Sequence, residues 1–169
     1  MKILKQRLQI LIGLILVILT MALFLIIRAA GSVNISINAV FVLLLLSATI
    51  LVLLFILEHK KYNIAKLIKE NEIFSIEAVK KRDNSKDSIE FIISCFGILL
   101  GQKVIMFNTD GIGLKDVKIT KDTILIEYGK GNQTELISLL YKPMEEKKLK
   151  EVIQKFQYET GITPNIVNL

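Results

Sequence analysis

The stretch LQILIGLILVILTMALFLII, residues 8–27, decides the architecture of this chain, because it holds twenty consecutive residues without a charge. A helix rises about 1.5 Å per residue, so about 20 apolar residues cross a hydrocarbon layer about 30 Å thick. Gln9, Gly13 and Thr20 are the weakly polar or small breaks in it. A helix packed on a soluble core would show one polar stripe, whereas here every face is apolar. The sequence therefore predicts a first membrane span over residues 8–28. A second uncharged run, residues 29–57, follows directly after Arg28. It opens with Ala29-Ala30-Gly31-Ser32-Val33-Asn34, which reads as a turn, so the second span falls at 38–57. Residues 1–57 thus read as a two-span transmembrane hairpin.

Composition points the same way. The 169 residues are 52% apolar and their mean hydropathy is +0.52. Soluble domains hold about 45–50% apolar residues even with glycine counted. An ordinary soluble domain, a disordered chain and a disulfide-stapled secreted domain are all excluded.

Charge sets the expected orientation. No acidic residue precedes Glu58, and all 16 carboxylates lie from there onward. Lys2, Lys5 and Arg7 precede the first span, Lys60, Lys61, Lys66 and Lys69 follow the second, and the connecting segment has Arg28. Basic residues mark the cytoplasmic side, so both termini are expected in the cytoplasm. A cleaved signal peptide fits less well, despite the small residues of Arg28-Ala29-Ala30-Gly31. Its apolar region would hold about 7–15 residues. The net charge of +6 divides into +4 over residues 1–28 and +2 over residues 58–169. That is a topology signal, and no basic stripe with interleaved aromatics suggests nucleic acid. Neither span carries an ionisable residue in its interior, the usual mark of a transport path. Gly13 has no partner at four-residue spacing for a glycine seam. An anchor is the expectation. With 19 lysines to 3 arginines and abundant Ile and Asn, the composition suggests an AT-rich bacterial genome and a bacterial plasma-membrane protein.

Beyond Leu57 the chain turns charged and polar. Residues 58–86 read as a basic juxtamembrane helix and linker, with Ile64, Leu67 and Ile68 on one face. Lys60, Lys61, Lys66 and Lys69 are the candidate lipid-headgroup contacts, at about 1 kcal/mol each beside an anionic leaflet. Ile73–Val79 is open between strand and helix, and Lys80–Lys86 reads as a solvated loop. Residues 87–169 read as a cytoplasmic α+β domain. Asp87-Ser88-Ile89-Glu90 has the form of a capping box. Ile89, Ile92, Ile93, Phe96, Leu99 and Leu100 then follow helical spacing, while Ile89, Phe91, Ile93 and Cys95 alternate as in a strand. The helix reading is favoured over 87–101. Val104–Phe107 reads as a strand ended by Asn108-Thr109-Asp110-Gly111. Val117–Thr120 and Thr123–Tyr128 flank Lys121-Asp122 as a hairpin. Gly129–Gln133 reads as a turn and Thr134–Tyr141 as a further strand. Ile124, Ile126 and Tyr128 share one face, as do Ile137, Leu139 and Tyr141. A final helix is expected from Pro143, with Glu145 and Glu146 in its first turn, a stripe of Leu149, Val152, Ile153 and Phe156, and a stop at Gly161. The fold class predicted is a transmembrane helical hairpin plus a small α+β domain with an antiparallel sheet and a C-terminal helix.

In its order of strand, Lys-Asp turn, Ile-Leu-Ile-Glu-Tyr-Gly strand, further strand and amphipathic helix, Asp116–Gly161 resembles the C-terminal half of bacterial pleckstrin-homology-like domains. Such domains often follow a pair of spans in small membrane proteins. The resemblance implies a sheet closed by a helix and assigns no functional residue.

Chemistry-bearing residues are few. His59 lies between Glu58 and Lys60 and reads as a polar end-marker. Cys95 has no second cysteine and no histidine base at hand, so a buried structural thiol is expected. Gly111-Ile112-Gly113 lacks the third glycine of a dinucleotide fingerprint, and Gly129-Lys130-Gly131 fits a hairpin loop. Asp110, Asp116 and Asp122 do not have calcium-loop spacing. No catalytic, metal or cofactor-binding residue is predicted, and no cofactor. The expected function is a non-catalytic interaction module whose partners are the lipid bilayer and a protein. The alternatives are an immunity or envelope-stress protein acting against a toxin or peptide, and a membrane-bound enzyme using carboxylates.

Overall fold

The computed structural model describes residues 1–29, 35–80 and 89–167. The turn read at 30–34, most of the loop read at Lys80–Lys86 and the first half of the capping box lie outside them. The chain divides into two compact units, Met1–Asn63 and Ile64–Leu169.

In the first unit, helix α1 spans Lys2–Ala29 and helix α2 begins at Ile35 and ends, in the second unit, at Glu70. Both helices are long and apolar enough to cross a membrane. The stripe that is partly shielded runs through Leu8, Leu11, Ile15, Ile18, Ala22 and Leu25 on α1, and through Phe41, Leu44, Ala48, Leu51, Phe55 and Glu58 on α2. Steps of three and four alternate along both, the spacing that keeps residues on one helix face. Arg7, Ile10 and Leu11 line one cavity with Leu54 and Glu58, so the stripes face each other in antiparallel sense. The remaining large apolar side chains stay open, from Ile12 at 42% to Ile27 at 68% exposure. Thr20, Ser47 and Thr49 donate their hydroxyls to Val17 O (2.8 Å), Leu44 O (2.8 Å) and Leu45 O (2.9 Å), so each is satisfied on its own helix.

The second unit is built on one sheet. Its strands are β1 (Glu72–Lys80), β2 (Ile89–Ser94), β3 (Gly97–Leu100), β4 (Lys103–Met106), β5 (Ile112–Ile119), β6 (Thr123–Lys130), β7 (Gln133–Leu140) and β8 (Asn165–Ile166). Their order is β4-β3-β2-β1-β7-β6-β5-β8, antiparallel throughout except for β8 beside β5. Strand β1 joins the two halves: Glu72–Ala78 pairs with β2, and Val79–Lys80 pairs with β7. Alternation places Phe91, Ile93, Ile98, Val117, Ile119, Ile124, Ile126 and Leu139 in a single core. Helix α3 (Glu146–Thr160) covers that core with Leu149, Val152 and Phe156, and ends at Gly161, φ 72°. The amphipathic stripe and the glycine stop read from the sequence are both present.

Three expectations are corrected. Within the stretch 87–101 read as a helix, residues 89–100 are instead the strands β2 and β3, a tight hairpin in register Ile93↔Ile98. Gly97 lets β4 lie close against β3, because at φ +153° a Cβ there would lie 2.1 Å from Ile105 O. Residues 72–80, counted with the linker and open between strand and helix over Ile73–Val79, form the central strand β1. The second helix runs past the span end at Leu57 to Glu70, in line with the juxtamembrane helix read there, and its Ala65 and Ile68 are fully buried in the second unit. Helix α3 starts at Glu146, not Pro143. Tyr141 N–H bonds Asp122 O at 2.8 Å and its hydroxyl bonds Thr120 O at 2.8 Å, so the chain stays tied to the β5–β6 turn beyond β7.

The helical spacing in β2–β3 has a physical source. Phe91, Ile93 and Ile98 face the core, yet Ile92 and Leu99 on the opposite face are also at most 1% exposed. Lys69 Nζ lies 3.5 Å from Glu90 Oε1, on the Ile92 face, which brings the last turn of α2 over that side. Strands buried on both faces read as unbroken apolar runs, and periodicity then cannot separate strand from helix.

Candidate functional site

The strand order leaves β4 as a sheet end, and its outer edge borders a cleft of about 320 Å³. Lys103, Val104, Ile105 and Met106 form one wall; Ile112, Tyr128 and Glu135 form the other, with Thr109 and Asp110 between. Antiparallel pairs alternate between bonded and non-bonded. Phe107 N–H bonds Phe96 O at 2.8 Å, which in the register Ile98↔Ile105 and Leu100↔Lys103 turns those residues toward β3. Val104 and Met106 therefore direct their backbone N–H and C=O groups out of the sheet, toward the cleft. The turn below is tight: Asn108 N–H bonds Ile112 O at 2.7 Å, and Asn108 (φ 60°), Asp110 (φ 56°) and Gly111 (φ 76°) are all left-handed. Asn, Asp and Gly tolerate that region best.

The far wall is polar at its rim. Tyr128 and Glu135 are cross-strand partners, and the Tyr128 hydroxyl donates to Glu135 Oε2. Lys103 Nζ lies 3.9 Å from the same oxygen, tying the β4 end to β7 across the cleft. Both members of that ion pair are more than 60% exposed, so it contributes little. Tyr128 is itself only 4% exposed. Burial, then the hydrogen bond and charge of Glu135, push its pKa up, so the phenol remains a donor. Lys115 Nζ reaches Gly131 O (2.7 Å), Thr134 Oγ1 (2.9 Å) and Gln133 O (3.1 Å), which fixes the β6–β7 turn. The cleft thus offers two outward backbone donor–acceptor sets beside an apolar floor, the complement of an extended peptide.

Three of the four lysines named as headgroup contacts have acidic partners. Lys61 pairs with Glu58 at 3.2 Å, Lys66 with Glu70 at 3.6 Å and Lys69 with Glu90 at 3.5 Å. Lys69 lines a second groove of about 550 Å³ with Glu72, Ser75, Glu77 and Glu90. There Glu77 and Glu90 oppose each other in register, like charges offset by Lys69. Ser75 donates to Glu72 Oε1 at 3.4 Å. His59 stacks on Phe55, with ring centroids 5.7 Å apart. Cys95, expected in the core, is half-buried in the β2–β3 turn. Burial and then Glu159 push its pKa up, which disfavours the reactive thiolate. Among the described residues, no three His, Cys, Asp or Glu side chains are placed to hold a metal.

Local sequence does not single out the cleft residues. Tyr128 reads there as a core-face residue and Glu135 as part of a strand; only their register joins them. No known protein-family model matches the chain, and no curated protein matches it.

Proposed function

We propose that this chain is a membrane-anchored, non-catalytic interaction module whose sheet domain holds an extended segment of a protein partner along β4. The observation that carries this reading is the open β4 edge, where Val104 and Met106 face the cleft walled by Tyr128 and Glu135. Two-residue alternation along such an edge supplies backbone bonds at one position and side-chain contacts at the next. The exposed apolar faces of α1 and α2 support the anchoring, since lipid is the solvent that suits them. The basic residues around both helices support a cytoplasmic domain, and the lysine-rich composition supports a bacterial plasma membrane. Antiparallel β1 to β7 followed by α3 support a pleckstrin-homology-like domain.

A photo-crosslinking residue at Met106 of the full chain, in its native membrane, tests the reading. A discrete adduct is expected from Met106 and not from Tyr158, which is 88% exposed and away from the cleft. Val104→Pro removes an outward-facing N–H without touching the β3 ladder, and should abolish the adduct. An adduct unchanged by Val104→Pro, or none from Met106, would refute the site.

A further inference from the structure

The two helices carry a second site at one end of their seam. Arg7, Ile10 and Leu11 of α1 line an open cavity of about 290 Å³ with Leu54 and Glu58 of α2. Glu58 continues the stripe of Leu51 and Phe55, where an apolar residue would suit the packing, and its side chain is only 17% exposed. Its Oε1 is met by Lys61 at 3.2 Å, while its Oε2 is fully buried and has no hydrogen-bond partner. A buried carboxylate oxygen without a donor is costly, so a ligand in the groove toward which the Glu58 carboxylate turns gains by supplying one. Arg7, on the facing helix, enters no ion pair among the described residues. Its guanidinium offers a fork suited to phosphate oxygens.

Position narrows the ligand. Arg7 immediately precedes the uncharged run 8–27, and Glu58 immediately follows the uncharged run 29–57. In an antiparallel pair both fall at the same end, at the depth of the lipid headgroups. Three demands then meet in one place: a cation that donates a hydrogen bond to Glu58 Oε2, an anion for Arg7, and a hydrocarbon tail for Ile10, Leu11 and Leu54. A zwitterionic amphiphile meets all three. A choline headgroup has no N–H to donate, and a glycerol headgroup has no positive charge. A primary ammonium has both.

We propose that this cavity binds the headgroup of an aminophospholipid, with its ammonium on Glu58 and its phosphate on Arg7. The proposal rests on the reading of the helices as a membrane-spanning hairpin. The lipid would fasten α1 to α2 at the level where the apolar seam gives way to charge.

The full-length protein, released into mild detergent and offered equal amounts of phosphatidylethanolamine, phosphatidylcholine and phosphatidylglycerol with the same acyl chains, tests this by native mass spectrometry. Retention of the ethanolamine lipid should exceed that of the other two by about tenfold, as a charge-assisted hydrogen bond implies. Glu58→Gln keeps the shape and should erase the preference. Arg7→Gln should lower retention of all three, since each carries phosphate. Helix content from circular dichroism should be the same in all three proteins. Equal retention of the three lipids by the unaltered chain, or a preference that survives Glu58→Gln, would overturn the site. Alkaline extraction of membranes tells failure of the anchor from failure of the site. A chain released into the soluble fraction would sink both, whereas an integral chain without lipid preference sinks the site alone.

Discussion

Tyr128 and Glu135 stand opposite each other on neighbouring strands, and the phenol of the first donates a hydrogen bond to the carboxylate of the second. The folded protein therefore favours the protonated phenol, so the Tyr128 pKa lies above its unfolded value of about 10. The resulting stability is fully present below about pH 10 and is lost as pH rises toward the folded pKa. Tyr141 shifts in the same direction, through burial and then Asp122. Thermal unfolding of the full chain in detergent, followed by near-ultraviolet circular dichroism, should show Tm falling above about pH 10. Tyr128→Phe should cost about 1–2 kcal/mol at neutral pH and give a shallower alkaline limb.

Gly97 and Gly129 differ from Gly113 in a way that substitution can read. A Cβ would meet Ile105 O at 2.1 Å in the first and Gln133 O at 2.0 Å in the second, but nothing within 4 Å at Gly113. Both crowded glycines also have positive φ, 153° and 155°. Gly97→Ala and Gly129→Ala should each destabilise the domain by about 3 kcal/mol or more. Gly113→Ala should stay within about 1 kcal/mol of the original chain by urea titration.

The ion pairs of the domain and its core should separate widely in energy. Lys69 and Glu90 are 49% and 41% exposed at the side chain, so Lys69→Gln should cost about 0–1 kcal/mol. Phe156 is fully buried under the sheet, and Phe156→Ala should cost about 3–5 kcal/mol by the same titration. Comparable losses for the two variants would show that the α2 end, not the α3 face, governs the domain.

Reporter fusions test the orientation. An enzyme that works only in the cytoplasm should be active when fused after Leu169 and inactive when inserted within Gly31–Asn34. Changing Lys2, Lys5 and Arg7 together to Gln should weaken that asymmetry, because they are the basic residues before the first span.

What can be read from the sequence depends on whether a pattern has contrast. Helices α1 and α2 are legible because length and uniform apolarity suffice to read them. Their seam is not, since Leu11 and Ile12 are chemically alike and only burial distinguishes them. Strands β6 and β7 are legible because Ile124, Ile126 and Tyr128 alternate with more polar or exposed neighbours. In β2 and β3 the contrast vanishes, because Ile92 and Leu99 are as buried as Phe91 and Ile98. The cleft depends on register and on an edge, neither of which is local. Lys103 and Glu135 lie on strands separated by two others in the chain, and nothing near either residue points to its partner. Glu58 stands out in the sequence as the first acid of the chain; its place in the seam shows only once α2 continues past Leu57.

Strand β1 carries a consequence for how the domain comes to be made. It leaves α2 after the single residue Asn71, yet its last residues pair with Leu140 and Leu139, about sixty positions onward. Strands β2 to β4 can assemble as local hairpins in the meantime, at low loop-closure cost. The join between the halves cannot form until β7 has been synthesised. A nascent chain thus has half a sheet folded and the inner edge of β1 open. Folding should be slow at that closing step, and variants that weaken the Val79–Leu140 pairing should accumulate as a half-sheet intermediate prone to edge-to-edge association.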